Sequence, residues 1–513
     1  MADTHDKKEA SLTQVPSVVE ERGTPKIKKR FNFWTAFGIA VCTSGSWEGW
    51  IASLAQGISG GGAVGLVWGW VLVSVGIVCM SCSLSEFVSM WPSAGGQYVW
   101  AANLSSPRYT RMLSWYTAWF GLAGMWLGAV SCGMGVAVQV QSYVATARDY
   151  DPKTWHAFLI CIVAMICWIL VNIFSVRSLH WLNQAVLIVH VAGYFIVIGV
   201  MLKYTENKHD AKYVFTHFEK QTGWDSDFVS WSVSLLSALY AFFSLDSASH
   251  FSEEIENANR LVPRAMVLQA VSSALMTFPF IIVILFCIGD TSAVLTSRIG
   301  LMSPFTQIAV NSTGSPGLSI FMAGLSTFVA MSAGFDLWGA AARSIWSMAR
   351  DNALPPIFAQ IHPKFGVPVL ANLVMVPPSI GIYLIYIWNT TAFYGIMAGV
   401  LVAFQLSYVL PIGINIFYTS WRKPLVKGPF NMGKFSWIVH LMAFIFGCYM
   451  ILFMSFPVYY PVTAANMNYA SPILGAVFIF ASLMWFFYGS KHYEGPLELL
   501  TSDGVRPEVD LKD

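Results

Sequence analysis

Twelve apolar stretches of about 20 residues follow one another between residues 32 and 489. As helix, each is long enough to cross about 30 Å of hydrocarbon. Backbone N–H and C=O groups in lipid must be satisfied within the spanning segment, which leaves helices or closed barrels. Runs such as 281–287 and 478–487 are apolar throughout, without the alternation a barrel strand needs. The expected fold is therefore an all-α membrane protein with twelve transmembrane helices. The charge content agrees, at 11% against roughly 25% for a soluble domain.

The spans are expected at 32–56, 63–90, 111–144, 155–175, 181–202, 229–252, 264–289, 316–342, 367–387, 391–416, 435–458 and 468–489. With the N-terminus inside, 22 of the 29 lysines and arginines fall on the inner side and seven on the outer. Inner loops carry the excess of basic residues, so both termini are expected in the cytoplasm. The sequons Asn311-Ser312-Thr313 and Asn389-Thr390-Thr391 then face out, and Asn103-Leu104-Ser105 faces in. Residues 1–30 are polar and charged, with Lys26-Ile27-Lys28-Lys29-Arg30 abutting the first span. They read as a disordered cytoplasmic arm without a secretory signal. The domain division expected is a tail at 1–30, a transport core at 31–416, two accessory helices at 417–489 and a second tail at 490–513.

Span 1 carries Thr43-Ser44-Gly45-Ser46-Trp47-Glu48-Gly49 near its centre, and span 6 carries Ser244-Leu245-Asp246-Ser247-Ala248-Ser249. Both runs are small, polar and helix-weakening, each contains one carboxylate, and they lie five spans apart. Transporters built from two inverted repeats place discontinuous helices in this way, with the site at mid-membrane. Spans 1–5 and 6–10 would form the two repeats. A carboxylate in a bilayer faces the protein interior or water, so Glu48 and Asp246 are candidates to meet solute or proton. Asp336 in span 8 stands seven residues before Arg343, and an internal ion pair is expected there.

Four further stretches carry a family resemblance. The first span continues with Ser53-Leu54-Ala55 and Ser59-Gly60-Gly61-Gly62, then Gly65-Leu66-Val67-Trp68-Gly69. Span 2 ends with Ser85-Glu86 and Pro92-Ser93-Ala94-Gly95-Gly96-Gln97-Tyr98, followed by Trp100 and Ser114-Trp115. Span 6 reads Phe243-Ser244-Leu245-Asp246, His250, Glu253-Glu254, Asn257-Ala258 and Val262-Pro263-Arg264-Ala265. After span 8 come Trp346, Ala349-Arg350-Asp351, Leu354-Pro355, His362-Pro363 and Val367-Pro368. In this order and spacing the chain resembles the fungal amino acid/choline permease branch of the amino acid–polyamine–organocation superfamily. The resemblance implies a LeuT-type 5+5 inverted repeat plus two accessory helices. It also implies a plasma-membrane location and proton-driven uptake of choline, γ-aminobutyrate or another amino acid. The chain departs from the family at Gly334-Phe335-Asp336 and Ala341-Ala342-Arg343, where many relatives have Ser-Arg after a Ser/Thr-rich stretch. That departure bears on substrate identity rather than on fold.

A cationic nitrogen is met by carboxylate, by aromatic faces, or by both. The candidate solute-binding set is Ser44, Gly45, Ser46, Trp47, Glu48, Trp119, Phe243, Ser244 and Asp246, with Trp50, Trp115, Tyr240 and Phe242 flanking the breaks. An amino acid's carboxylate would need backbone N–H donors around 45–49, where Glu48 repels it, so choline-like cations are favoured. Proton coupling needs a group that changes charge. Glu48, Asp246 and His190, a histidine central in span 5, are the candidates. Glu86, Glu253 and Arg343, with Glu254, Arg264 and Arg350, are expected to form a cytoplasmic gate. The eight cysteines all sit inside apolar segments, and the ten histidines are scattered without metal-ligand spacing. No cofactor, metal or nucleic acid is therefore expected, and a membrane enzyme is disfavoured. A nutrient sensor or channel on the same fold is the other class to separate from a carrier.

Overall fold

The computed structural model describes residues 31–388, 392–420, 425–464 and 466–496. The sequon at Asn389, the arm at 1–30 and the tail beyond 496 lie outside the described residues. Within them the chain is helix and loop, apart from one isolated bridge between Phe31 and Ile255.

Among the described residues, ten helices are long and apolar enough to cross a membrane, and they are spans 2–5 and 7–12. The two remaining spans are interrupted, which is why neither reaches that length. Span 1 is built from Phe33–Ser44, Ser46–Ala52 and the first turns of Leu54–Met90. That last helix kinks at Gly62, where the backbone takes φ 57° and ψ −144° and span 2 begins. Span 6 is Asp227–Ser234 and Leu236–Tyr240, then an unwound stretch, then the 3-10 helix Ser247–Glu254. Twelve crossings result.

Span 3 (Thr110–Ala147) packs along span 8 (Pro316–Arg350), and span 2 packs along span 7 (Ala258–Cys287). In a 5+5 repeat these are symmetry mates, and mates that touch lie beside the two-fold axis. Spans 11 (Ser436–Met454) and 12 (Ala470–Met484) stand outside this core, against spans 2, 3 and 10. Long lipid-facing side chains such as Phe195, Leu275 and Phe480 are exposed, as expected of a surface covered by lipid.

Connecting helices absent from the sequence reading are Gln97–Leu104, Ala211–Thr216, Thr291–Thr296 and Pro304–Thr313. Pro304–Thr313 starts on Ser303, whose hydroxyl accepts from Thr306 N–H, with proline at the first helical position. That arrangement suits the unpaired N–H groups of a helix start.

Candidate functional site

The span 1 break is local chemistry. Gly45 adopts φ +56°, a left-handed conformation in which glycine has no Cβ to clash. Just before it, the Thr43 hydroxyl donates to Ile39 O (2.9 Å) and the Ser44 hydroxyl to Ala40 O (3.0 Å). Such back-bonding competes with the helix ladder. In span 6 the chain turns at Ser244, a non-glycine residue at φ +57°. The two breaks meet: a Cβ on Gly49 would lie 3.1 Å from Ala241 Cα, so only glycine allows this approach without displacement. The Thr43 and Ser247 hydroxyls join them at 2.7 Å.

Between the breaks lies a cavity of about 40 Å³, room for roughly one water molecule. Gly45 and Glu48 line it from span 1, Ser131 and Cys132 from span 3, Tyr240 and Phe243 from span 6, Val329 and Ala333 from span 8, and Phe393 from span 10. Glu48 is its one carboxylate, and no lysine or arginine lines it. The Tyr240 and Phe243 rings stack at 4.9 Å, and the Tyr240 hydroxyl shares a 2.9 Å hydrogen bond with Ser131.

Behind Glu48 stands His190. Its Nδ1 lies 2.9 and 3.1 Å from the two carboxylate oxygens, and its Nε2 lies 3.4 Å from the Ser46 hydroxyl. Trp47 Nε1 donates to the His190 carbonyl at 3.2 Å. With Glu48 ionised, Nδ1 carries a hydrogen toward the carboxylate, and one added proton on either partner would take the pair from net charge −1 to zero.

Other candidates lie elsewhere. Asp246 is fully buried but does not line the cavity. It accepts from Gln97 Nε2 and the Tyr408 hydroxyl, and lies 2.6 Å from His250 Nε2, whose Nδ1 donates to Ala94 O at 2.9 Å. This knot fastens the span 6 break to the short helix after span 2 and to span 10. Trp119 packs edge-on against Phe480, and Trp115 donates to Ala481 O, so both face span 12 and not the cavity. Trp47 and Trp50 pack on Phe280 of span 7. The expected Asp336–Arg343 pair is not formed: Asp336 accepts from Asn183, and Arg343 bonds Glu254 at 2.6 Å. Seven residues of helix rise about 10.5 Å, too far for contact when another carboxylate stands within reach. Ser131, Cys132 and Phe393 escaped the sequence reading. The run Ser131-Cys132-Gly133-Met134-Gly135 in mid-span 3 was the available signal, since small residues admit close approach.

At the N-terminal face the bundle is closed by charge pairs. Arg343 meets Glu254 and covers the Phe251 ring, Arg350 meets Glu253 at 3.0 Å, and the Tyr98 hydroxyl donates to Asp351 at 2.8 Å. Phe31 adds a backbone bridge to the end of span 6. Glu86 does not join this layer, and its carboxylate is held by span 11 and the loop before it. Arg264 is exposed. Removing one partner of a buried pair costs about 3–5 kcal/mol. Glu254→Gln is accordingly expected to destabilise the closed layer and lower uptake at least tenfold. The exchanged double variant Glu254→Arg/Arg343→Glu should recover a large part. Equal loss in single and double variants would remove the pair from the gate.

On the opposite face a vestibule of about 580 Å³ descends between Lys153, Gln221, Tyr386, Tyr394 and Tyr459. Phe393 lines both this vestibule and the central cavity, so its ring stands at the boundary between them. In a Phe393→Ala variant, a membrane-impermeant thiol reagent added on that face is expected to modify Cys132 at least tenfold faster. A Phe393→Ala/Cys132→Ala double variant supplies the background from the other cysteines, and an unchanged Cys132 rate would exclude Phe393 as the lid.

Two broken helices with a carboxylate in the cavity between them, within a bundle of twelve spans, define the class: a twelve-helix membrane carrier of the inverted-repeat type. The family model described as amino acid permease matches residues 31–479, and the chain belongs to that family. It is 30% identical over 481 residues to a choline transporter of Saccharomyces cerevisiae, covering 92% of this chain and 83% of that protein. It is 26% identical over 484 residues to amino-acid permease 2 of Neurospora crassa, covering 92% and 87%. A third relative is the 7-keto 8-aminopelargonic acid transporter of Saccharomyces cerevisiae, 25% identical over 541 aligned positions covering 92% and 95%.

Proposed function

We propose that the chain imports a small organic cation of the choline type across the plasma membrane by proton symport, with both termini in the cytoplasm. The observation that carries this reading is Glu48. It is the one carboxylate facing a cavity otherwise lined by aromatic and small side chains, with His190 2.9 Å behind it. A quaternary nitrogen is favoured by a carboxylate and by ring faces such as Tyr240, Phe243 and Phe393. A zwitterion also needs a partner for its carboxylate, and the lining holds no cationic side chain. The similarity to a protein named as a choline transporter supports the same choice.

A carboxylate that holds either a proton or a cation exchanges one for the other. Symport requires both at once, and the dyad supplies two places: Glu48 for the solute nitrogen and His190 for the proton. Residues 31–416 form the moving core in this scheme, and 417–489 the accessory pair. Solute enters through the vestibule and past Phe393, the cavity widens around it, and the N-terminal charge layer opens to release it.

Uptake of labelled choline, γ-aminobutyrate and several amino acids into vesicles containing the full chain tests the assignment. Choline should accumulate under an inward proton gradient and lose that accumulation with a protonophore. Accumulation of a zwitterion with choline excluded would overturn the substrate reading. Gradient-independent equilibration alone would indicate a channel or sensor.

A further inference from the structure

The N-terminal face holds a third cavity, of about 440 Å³, which shares no lining residue with the central cavity or the vestibule. It opens between the ends of spans 2 and 10 and the start of span 11, lined by Glu86, Lys427, Asn431, Lys434, Trp437 and His440. From these residues we infer a binding site for the phosphate of an anionic lipid headgroup.

The wall is built rather than incidental. Glu86, buried in the wall, accepts from Met432 N–H (2.5 Å) and the Ser436 hydroxyl (2.5 Å), and its Oε2 lies 3.0 Å from His440 Nε2. Those bonds moor the segment that carries Lys427 and Lys434, and they occupy the one acidic group of the wall. His440 is 2% exposed, and its other ring nitrogen, Nδ1, has no hydrogen-bond partner. Among the described residues neither lysine has a carboxylate partner. The cavity thus offers two ammonium groups, with its one carboxylate already occupied, and these are the complement of a phosphate.

The rim decides between lipid and free phosphate. Phe435 and Trp437, beside Lys434, are 62% and 48% exposed, and aromatic side chains next to lysine mark a membrane–water interface. From there Ile438, Met442 and Ile445 form an exposed stripe along span 11, a path for an acyl chain whose head sits in the cavity. Basic pockets between helices on the cytoplasmic side are suited to anionic headgroups. The choice of leaflet rests on the orientation proposed above, whereas the pocket chemistry does not.

Native mass spectrometry of the full chain in detergent, with dioleoyl phosphatidylserine, dioleoyl phosphatidylcholine or inorganic phosphate added, tests the site. Phosphatidylserine should be retained over phosphatidylcholine. Lys427→Ala/Lys434→Ala should reduce that retention at least tenfold, and Lys427→Arg/Lys434→Arg should restore it. Unchanged retention in the alanine double variant would overturn the site. Displacement of the lipid by millimolar inorganic phosphate would overturn the lipid in favour of a soluble anion. Because binding is read in detergent, an error in sidedness or in the transported solute leaves the result unaffected.

Discussion

Replacing Glu48 by glutamine is expected to lower uptake of a cationic solute about 30- to 150-fold at limiting concentration. A quaternary nitrogen donates no hydrogen bond, so what is lost is charge attraction, about 3–4 kcal/mol at roughly 4–5 Å and an effective dielectric constant of about 20, less what desolvation takes back, and each 1.4 kcal/mol is a factor of ten. Glutamine keeps the shape of the side chain and can still accept from His190, so the thermal unfolding midpoint should change little. Measurement is by initial uptake rate at matched protein content. Choline uptake within threefold of the unmodified protein would show that the solute is held elsewhere. A selective loss for choline, with γ-aminobutyrate uptake preserved, would place two solutes in different parts of the cavity.

His190→Gln is the second large effect, and it separates coupling from binding. With one proton carried per solute, a gradient of one pH unit supports about tenfold accumulation. In the unmodified chain, accumulation should rise as external pH falls and collapse with a protonophore. The variant should equilibrate solute without concentrating it. Exchange of internal for external solute should stay within about threefold, because Glu48 remains in place. Retained proton-driven accumulation would remove His190 from the coupling path and leave the Glu48 carboxyl itself, or a group outside this pair, as the carrier of the proton.

The spans and the positions of both helix breaks were legible in the sequence because their causes are local. Apolar length, a glycine that takes φ +56° and hydroxyls that bond back to their own helix need no knowledge of neighbours. The pairing of Glu48 with His190 was not, although each residue stood out alone. They are 142 positions apart, and only the packing of span 5 on span 1 brings them together. Trp115 and Trp119 illustrate the converse. Their spacing of four fixes a common helix face, but not which neighbour that face meets, and span 12 bears no sequence mark that would have announced it. Glu86 was grouped with the gate because it lies at the same membrane level. Level does not specify azimuth around the helix, and its side of span 2 is turned to span 11.

The Phe393 ring stands at the boundary of one entrance of this carrier, while ion pairs and a main-chain bridge bolt the other. If the proposed import holds, such lopsided doors would make arrival quick and departure the slow beat, with an unladen protein idling toward its supply. The bolted side would then keep the electrochemical gradient from being short-circuited while the protein waits for cargo.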